Sequence, residues 1–148
     1  MVQWKKKAHT LKGIVISLKS RWISFLSRFY PGKHHDYSLL KTIFTPDKQW
    51  FKRFNVRLDL GFLGFDKAYR CKKHFLPIKK PKGQDLTEAQ RAVNKEQARE
   101  RIVVEHAIGG LKRYRILSDR LRMHDLERYD DVLGVCAGLW NFYLLPDL

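Results

Sequence analysis

No proline interrupts residues 88–115, and a helix is the element such a stretch dictates. Thr87 is a good N-cap, and Gln90, three residues on, completes a capping box in which each side chain serves the other's backbone N–H. Gly109 and Gly110 are the only weak points, each costing about 1 kcal/mol relative to alanine. Ala98, Ile102, Glu105 and Gly109 fall on one face at helical spacing. The 148 residues suffice for one domain with a real core, and 44% of them are apolar, which sets the chain apart from disordered polar sequences.

The rest of the chain reads as alternating strands and helices. Thr10–Leu18 and Arg21–Tyr30 are rich in Ile, Val, Phe and Trp, and Lys19 and Ser20 between them can turn, so a β-hairpin is expected. Pro31 and Gly32 break the chain. Asp36 is expected to cap a short helix over Tyr37–Phe44 whose apolar face is Leu39, Leu40, Ile43 and Phe44. Phe54–Leu60 reads as a strand with Val56, Leu58 and Leu60 on one face. Phe75–Ile78 reads as another, followed by the basic loop Lys79, Lys80, Pro81, Lys82, Gly83. A closing helix over Leu126–Leu144 repeats Leu126, Tyr129, Leu133, Cys136, Trp140 and Tyr143 at helical spacing. The expected class is α/β.

The charge is large and lopsided. The formal net charge is +15, of which residues 1–84 carry +16 and residues 85–148 carry −1. Such a one-sided excess suits a polyanion, with nucleic acid ahead of an anionic membrane surface. The longest apolar run near the start, Gly13–Leu18, is too short to span a bilayer and no signal-peptide cleavage pattern follows it, so no membrane role is expected. Cys71 and Cys136 form no CxxC pair or zinc pattern. They read as reduced thiols packed as small hydrophobes in a cytosolic protein.

Two carboxylates stand out. Asp59 sits at the end of an apolar strand, where open α/β sheets bind ligands, although a turn Asp before Gly61 is an equally good description. Glu105 lies within Ile102, Val103, Val104, Ala107 and Ile108 on the long helix. A burial cost for its charge would be met by Arg101 one turn back or by a divalent metal. Together the two could hold Mg²⁺, a hard ion that prefers oxygen ligands. Two such ions about 4 Å apart can activate water or a 3′-OH in phosphodiester transfer.

Several segments are similar to motifs of insertion-sequence transposases in the DDE superfamily, in collinear order. Residues 5–12 (KKKAHTLK) look like "GKKKRHTLK", and residues 29–36 (FYPGKHHD) resemble "PGSVHD". Residues 58–64 (LDLGFLG) are similar to "ADKGYQG", and residues 76–83 with Leu86 and Thr87 to "LPFKKPRG…LT". Asn94, residues 101–109 (RIVVEHAIG) and residues 111–113 resemble "N…RIRVEHVFGRLKR". Residues 137–141 (AGLWN) look like "AGLHN".

The resemblance implies an RNase H-like catalytic domain, a mixed sheet with flanking helices. Asp59 would be its second acid and Glu105 its third, holding Mg²⁺ or Mn²⁺. The implied activity is metal-dependent DNA strand cleavage and transfer at transposon ends, in a bacterial, cytoplasmic, nucleoid-associated protein. The family's first Asp lies on a strand upstream of the "KKKRHT" segment, and nothing in Met1–Trp4 replaces it. Residues 1–148 are therefore expected to be the C-terminal portion of the catalytic domain, without the family's helix-turn-helix domain and inactive alone. A second polypeptide could supply the missing Asp, as in a split reading frame. The other origin is a decaying gene, which Leu60, Phe62 and Gly110 suit as departures from the family pattern. The implied sheet order is 3-2-1-4-5, so loss of the central first strand would leave two half-sheets with unpaired edges.

Lys79, Lys80, Lys82, Lys112 and Arg113 are the candidate phosphate contacts. Asp36 and His35 match a family signature and could be auxiliary to the metal, with helix capping as the other role of Asp36. His34, His35 and His74 fit no zinc spacing and suit contact with a polyanion. Trp22, Phe25, Phe29 and Tyr30 could stack on bases or fill the core. The rival from another class is a non-catalytic basic DNA- or RNA-binding protein. Self-association is left open.

Overall fold

Thr87 and Gln90 form the reciprocal cap that the sequence announces: Thr87 N donates to Gln90 Oε1 at 3.0 Å and Gln90 N to Thr87 Oγ1 at 3.3 Å. A computed structural model describes residues 11–119 and 125–145, and its longest element, the helix that this cap opens, spans Glu88–Lys112. The chain divides into two compact units. One is His35–Ile102; the other is built from the residues on either side of it, Val103 onward included.

In that second group the hairpin is present as expected. Its two arms pair as β1 (Leu11–Lys12) with β4 (Tyr30–Pro31) and as β2 (Val15–Ser17) with β3 (Ile23–Leu26), all antiparallel. Thr10, expected to open the first arm, lies outside the described residues. Between the two ladders the buried Ser27 keeps the backbone satisfied, its hydroxyl accepting from Ile14 N at 2.8 Å and donating to Arg28 O at 2.8 Å. The turn is one residue longer than Lys19 and Ser20 alone suggest: Leu18 N donates to Trp22 O at 2.8 Å, and Arg21 takes a left-handed φ of 69° within the loop.

Against the hairpin packs the closing helix, Leu126–Tyr143, capped by Asp125, whose side chain accepts from Glu127 N and Arg128 N. Ile23, Ala107, Leu111, Leu117, Tyr129, Leu133, Cys136, Ala137 and Trp140 make one core, with Leu26 and Phe29 against it. Phe29 stacks on Tyr129 at 5.1 Å, so this hairpin aromatic fills the core rather than facing outward. Cys136 is buried and Cys71 half-buried, both are free thiols, and burial pushes both thiols up from their ordinary values.

Asn141 fastens the closing helix to the hairpin. Its Oδ1 accepts from Ile23 N at 2.8 Å and its amide donates to Ile23 O at 2.9 Å, so one side chain serves both backbone groups of one strand residue. Asn141→Leu, close in volume, is expected to lower stability by about 2–4 kcal/mol, because it leaves a partly buried N–H and C=O unpaired. A denaturant melt checks this. An unchanged midpoint would mean that water replaces the amide.

Departures from expectation are local. The long helix ends at Lys112 rather than 115; Arg113 N is shared between Gly109 O and Gly110 O, the chain turns, and a short helix follows over Arg115–Ser118. Gly109 and Gly110 do not interrupt it. The face with Ala98, Ile102, Glu105 and Gly109 is the exposed one, and Ala107, Gly110 and Leu111 face the core.

In His35–Ile102 the first helix, Asp36–Ile43, buries Leu39 and Leu40. Asp36 is not its N-cap. His35 holds that position without a side-chain bond, and Asp36 is the first helical residue, where its charge favours the positive end of the helix dipole. Phe51, Phe65 and Tyr69 are buried as an aromatic core with ring centroids 4.9–5.4 Å apart. Burial raises the Tyr69 hydroxyl to about 12, and that hydroxyl donates to Phe44 O at 2.5 Å.

Strands β5 (Asn55–Arg57) and β6 (Lys73–Phe75) pair in parallel. Both are shorter than the apolar runs suggest. Leu58 and Asp59 lie past the β5 ladder, though Leu58 N still donates to Phe75 O at 3.0 Å. The second strand is shifted toward its N-terminal side. Pro77 has no N–H for a ladder, and Ile78 is held instead by Asn94, which accepts from Ile78 N at 2.8 Å and donates to Ile78 O at 3.0 Å. Among the described residues the ladders are thus a hairpin and a parallel pair, a mixed α/β arrangement.

Candidate functional site

Asp59 emerges where β5 ends. Its backbone is extended, and its Oδ1 accepts from Leu60 N at 2.6 Å, starting a 3-10 turn over Leu60–Phe62. The same oxygen accepts from Arg101 Nη1 at 3.0 Å. Among the described residues no hydrogen bond reaches Oδ2, and the side chain is half exposed. The long helix presents a second, reversed pair beside this one. Glu100 takes Arg57 Nε at 2.6 Å, and the Arg57 guanidinium lies over the Phe75 ring at 4.5 Å. Both pairs are partly exposed, so each is worth only about 1 kcal/mol or less; the Arg101 pair holds the direction in which Asp59 points.

Two glycines shape the turn after Asp59. A Cβ on Gly61 would lie 2.9 Å from Asp36 Oδ2, so only glycine lets the Asp36 carboxylate stand beside this turn. Gly64 adopts φ +91°, the left-handed region, and its carbonyl accepts from the Tyr37 hydroxyl at 2.7 Å. The start of the first helix and the Asp59 turn are thereby brought together, with Asp36, Asp59 and Arg101 in one unit. His35 is exposed at the N-cap position and makes no side-chain cap bond.

Glu105 belongs to the other unit and is exposed on the long helix, not buried among its apolar neighbours. Lys112 is exposed at that helix's end. Arg113 is exposed too, but its guanidinium lies over the rings of Trp140 and Tyr143 at 5.6 and 5.2 Å. An aromatic cradle of this kind holds the plane of the guanidinium while leaving its N–H edges for an anion. In the basic loop Lys79, Lys80 and Lys82 are all exposed, and Lys80 pairs with Asp85. Among the described residues no group of three or more His, Cys, Asp or Glu is assembled to hold a metal, and no helix is long and apolar enough to cross a membrane.

The family model for DDE superfamily endonucleases matches residues 1–141. The chain belongs to that superfamily. A probable transposase for insertion sequence element IS702 of Microchaete diplosiphon is 36% identical over 141 residues, 95% of this chain and 49% of that protein. The chain thus spans about half the length of the curated relative it matches. No solved structure matches. DDE superfamily endonucleases generally use divalent metal ions, and the donor chemistry of Asp59 fits one: a half-exposed carboxylate with an oxygen open among the described residues.

Sequence reasoning missed three residues that build this DDE chain's framework. Arg101 appears in the sequence as a neighbour of Glu105, and its bond to Asp59 crosses 42 residues, which no local spacing reveals. Asn94 and Asn141 sit in the recognised motifs, yet nothing local says that each brackets one backbone residue.

Proposed function

We propose that Asp59 and Glu105 are the second and third metal-binding acids of a DDE catalytic centre for DNA strand cleavage and transfer at transposon ends. In this reading the fold is RNase H-like and the chain is the C-terminal portion of the catalytic domain. The observation that carries it is Asp59 itself, presented at a strand end with one oxygen open among the described residues, within the stretch that the family model covers.

Bound Mg²⁺ or Mn²⁺ would activate the attacking water or 3′-OH and stabilise the leaving oxygen. The chain's own residues do the remaining work. Asp59 and Glu105 offer hard oxygen ligands, with Asp36 beside the Asp59 turn as an auxiliary. Arg101 holds Asp59 in place and must yield part of its hold when a cation arrives. Lys79, Lys80, Lys82, Lys112 and Arg113 hold the DNA backbone as charge-assisted donors. Among residues 1–148 no Asp or Glu precedes Asp36, and Asp59 and Glu105 supply two of the three acids of this reading.

Mn²⁺ binding to the full chain, read by electron paramagnetic resonance, tests the assignment without relying on activity. Asp59→Asn and Glu105→Gln are each expected to weaken binding at least about tenfold. Arg101→Gln is expected to tighten it by freeing Asp59 Oδ1. Unchanged binding in Asp59→Asn would defeat the proposal. It would favour the non-catalytic DNA- or RNA-binding reading, which the Arg101–Asp59 pair suits as a purely structural ion pair.

A further inference from the structure

The segment after the first helix carries a feature that neither the catalytic acids nor the basic loop uses. Residues 48–54 read KQWFKRF. Phe51 turns inward, 9% exposed, and joins Phe65 and Tyr69 in the core. Its anchoring forces its neighbours outward. Trp50 is 41% and Phe54 60% exposed, and Lys48, Lys52 and Arg53 are exposed around them.

These rings are held, not loose. The Trp50 indole N–H donates to Thr45 O at 3.0 Å, and its ring meets Phe44 edge-on at 5.5 Å. The Phe54 backbone is fixed on both sides, its N–H donating to Phe51 O at 2.9 Å and its carbonyl accepting from Lys72 N at 3.0 Å. Between them lies an open cleft of about 350 Å³ lined by Gln49, Trp50, Lys52, Arg53 and Phe54. Lys48 already rests over the Trp50 ring at 5.4 Å, which shows that the indole face is open to a cation.

Exposed rings cost solvation, and an apolar partner alone would not ask for three cations among them. A nucleic acid asks for both. Bases stack on aromatic faces whatever their sequence, and phosphates pair with Lys and Arg. In duplex DNA the base faces are already stacked, so the rings can serve only bases that are unpaired.

We propose that the Trp50–Phe54 cleft is a binding site for unpaired nucleotides of a DNA strand, with bases stacked on Trp50 and Phe54 and phosphates held by Lys52 and Arg53. This rests on the DNA-processing reading above and adds to it a site for single-stranded substrate. Gln49, at the cleft wall, offers an amide to a base edge.

The test titrates the full chain with an oligothymidylate, with a duplex of the same length and with vesicles containing phosphatidylserine. The variants are Phe54→Ser, Trp50→Ala and Lys52→Ala/Arg53→Ala. Phe54→Ser is the cleaner ring variant, because that side chain is the more exposed; a thermal melt shows that each variant folds. Each ring variant is expected to lower single-strand affinity about tenfold, with an unchanged salt slope and nearly unchanged duplex affinity. The double charge variant is expected to lower the salt slope by about 1.4 for single strands. The proposal is overturned if Phe54→Ser leaves single-strand affinity unchanged, or if ring loss weakens duplex and single strand equally. Ring-dependent binding to the vesicles in preference to the oligonucleotide overturns it as well. A chain that binds duplex through the Lys79–Lys82 loop but no single strand defeats this proposal alone; a chain that binds neither defeats the DNA reading itself.

Discussion

Gly110→Ala is expected to lower stability by about 3 kcal/mol, whereas Gly109→Ala, one residue earlier in the same helix, is expected to raise it by up to about 1 kcal/mol. Intrinsic propensity predicts the same sign for both, since alanine is the better helix former. Packing separates them. A Cβ on Gly109 meets nothing within 4 Å, whereas a Cβ on Gly110 would lie 2.3 Å from Trp140 Cε3, well inside contact distance. The indole cannot retreat cheaply: it is 4% exposed and its Nε1 donates to Arg21 O at 3.1 Å. Domain stabilities are only about 5–15 kcal/mol, so a loss of this size lowers the melting temperature by roughly 10 °C. In Gly110→Ala/Trp140→Ala the loss should be smaller than the sum of the two single losses, because the clash disappears with the ring. Equal effects of alanine at 109 and 110 in a thermal melt would show that the ring moves freely.

The same pair changes how a departure from the family pattern is understood. Gly110, set against the basic residue of the motif "RIRVEHVFGRLKR" that this stretch resembles, suits drift in a decaying gene when read from sequence. In the structure Gly110 is where the long helix receives the Trp140 ring from the closing helix, a small residue on one helix facing a large one on another. Nothing in either local stretch signals this, since the partners are 30 residues apart and belong to different motifs.

Elsewhere the legible parts are those with local causes. The capping box at Thr87 and Gln90, the aromatic and β-branched arms of the hairpin, and the helical spacing of the closing helix each depend on neighbours within a few residues, and each is present. The element ends were less legible. Phe54 and Leu60 carry strand-forming side chains, but the ladder covers only Asn55–Arg57, because pairing depends on where β6 begins. Asp36 has the chemistry of a cap, yet its carboxylate lies against Gly61, a contact set by folding across 25 residues. For the site, Asp59 at a strand end was visible in the pattern, while its bond to Arg101 was not.

Duplex DNA affinity is expected to fall by about 10³–10⁵ between 50 and 200 mM salt, the range for about six to ten phosphate contacts. The physical source is release of condensed counterions when Lys and Arg neutralise phosphates, and residues 1–84 carry a formal charge of +16 from which to do it. The basic loop allows a sharper version. Lys79 and Lys82 are exposed, and Asp85 takes Lys80 as its ion-pair partner. Lys79→Ala and Lys82→Ala should therefore each reduce the log–log salt slope by about one. Lys80→Ala should reduce it by less, because Asp85 competes with phosphate for that ammonium. Asp85→Asn should raise affinity and bring the effect of Lys80→Ala up to that of its neighbours. The pair is well over half exposed on both sides, so it holds Lys80 only weakly, and the difference should be largest at low salt and fade as screening shortens. Fluorescence anisotropy with a labelled duplex at several salt concentrations reads all of these. An affinity that does not change with salt would remove the electrostatic account of the basic half of the chain, and equal slopes for all three lysine variants would remove the role given to Asp85.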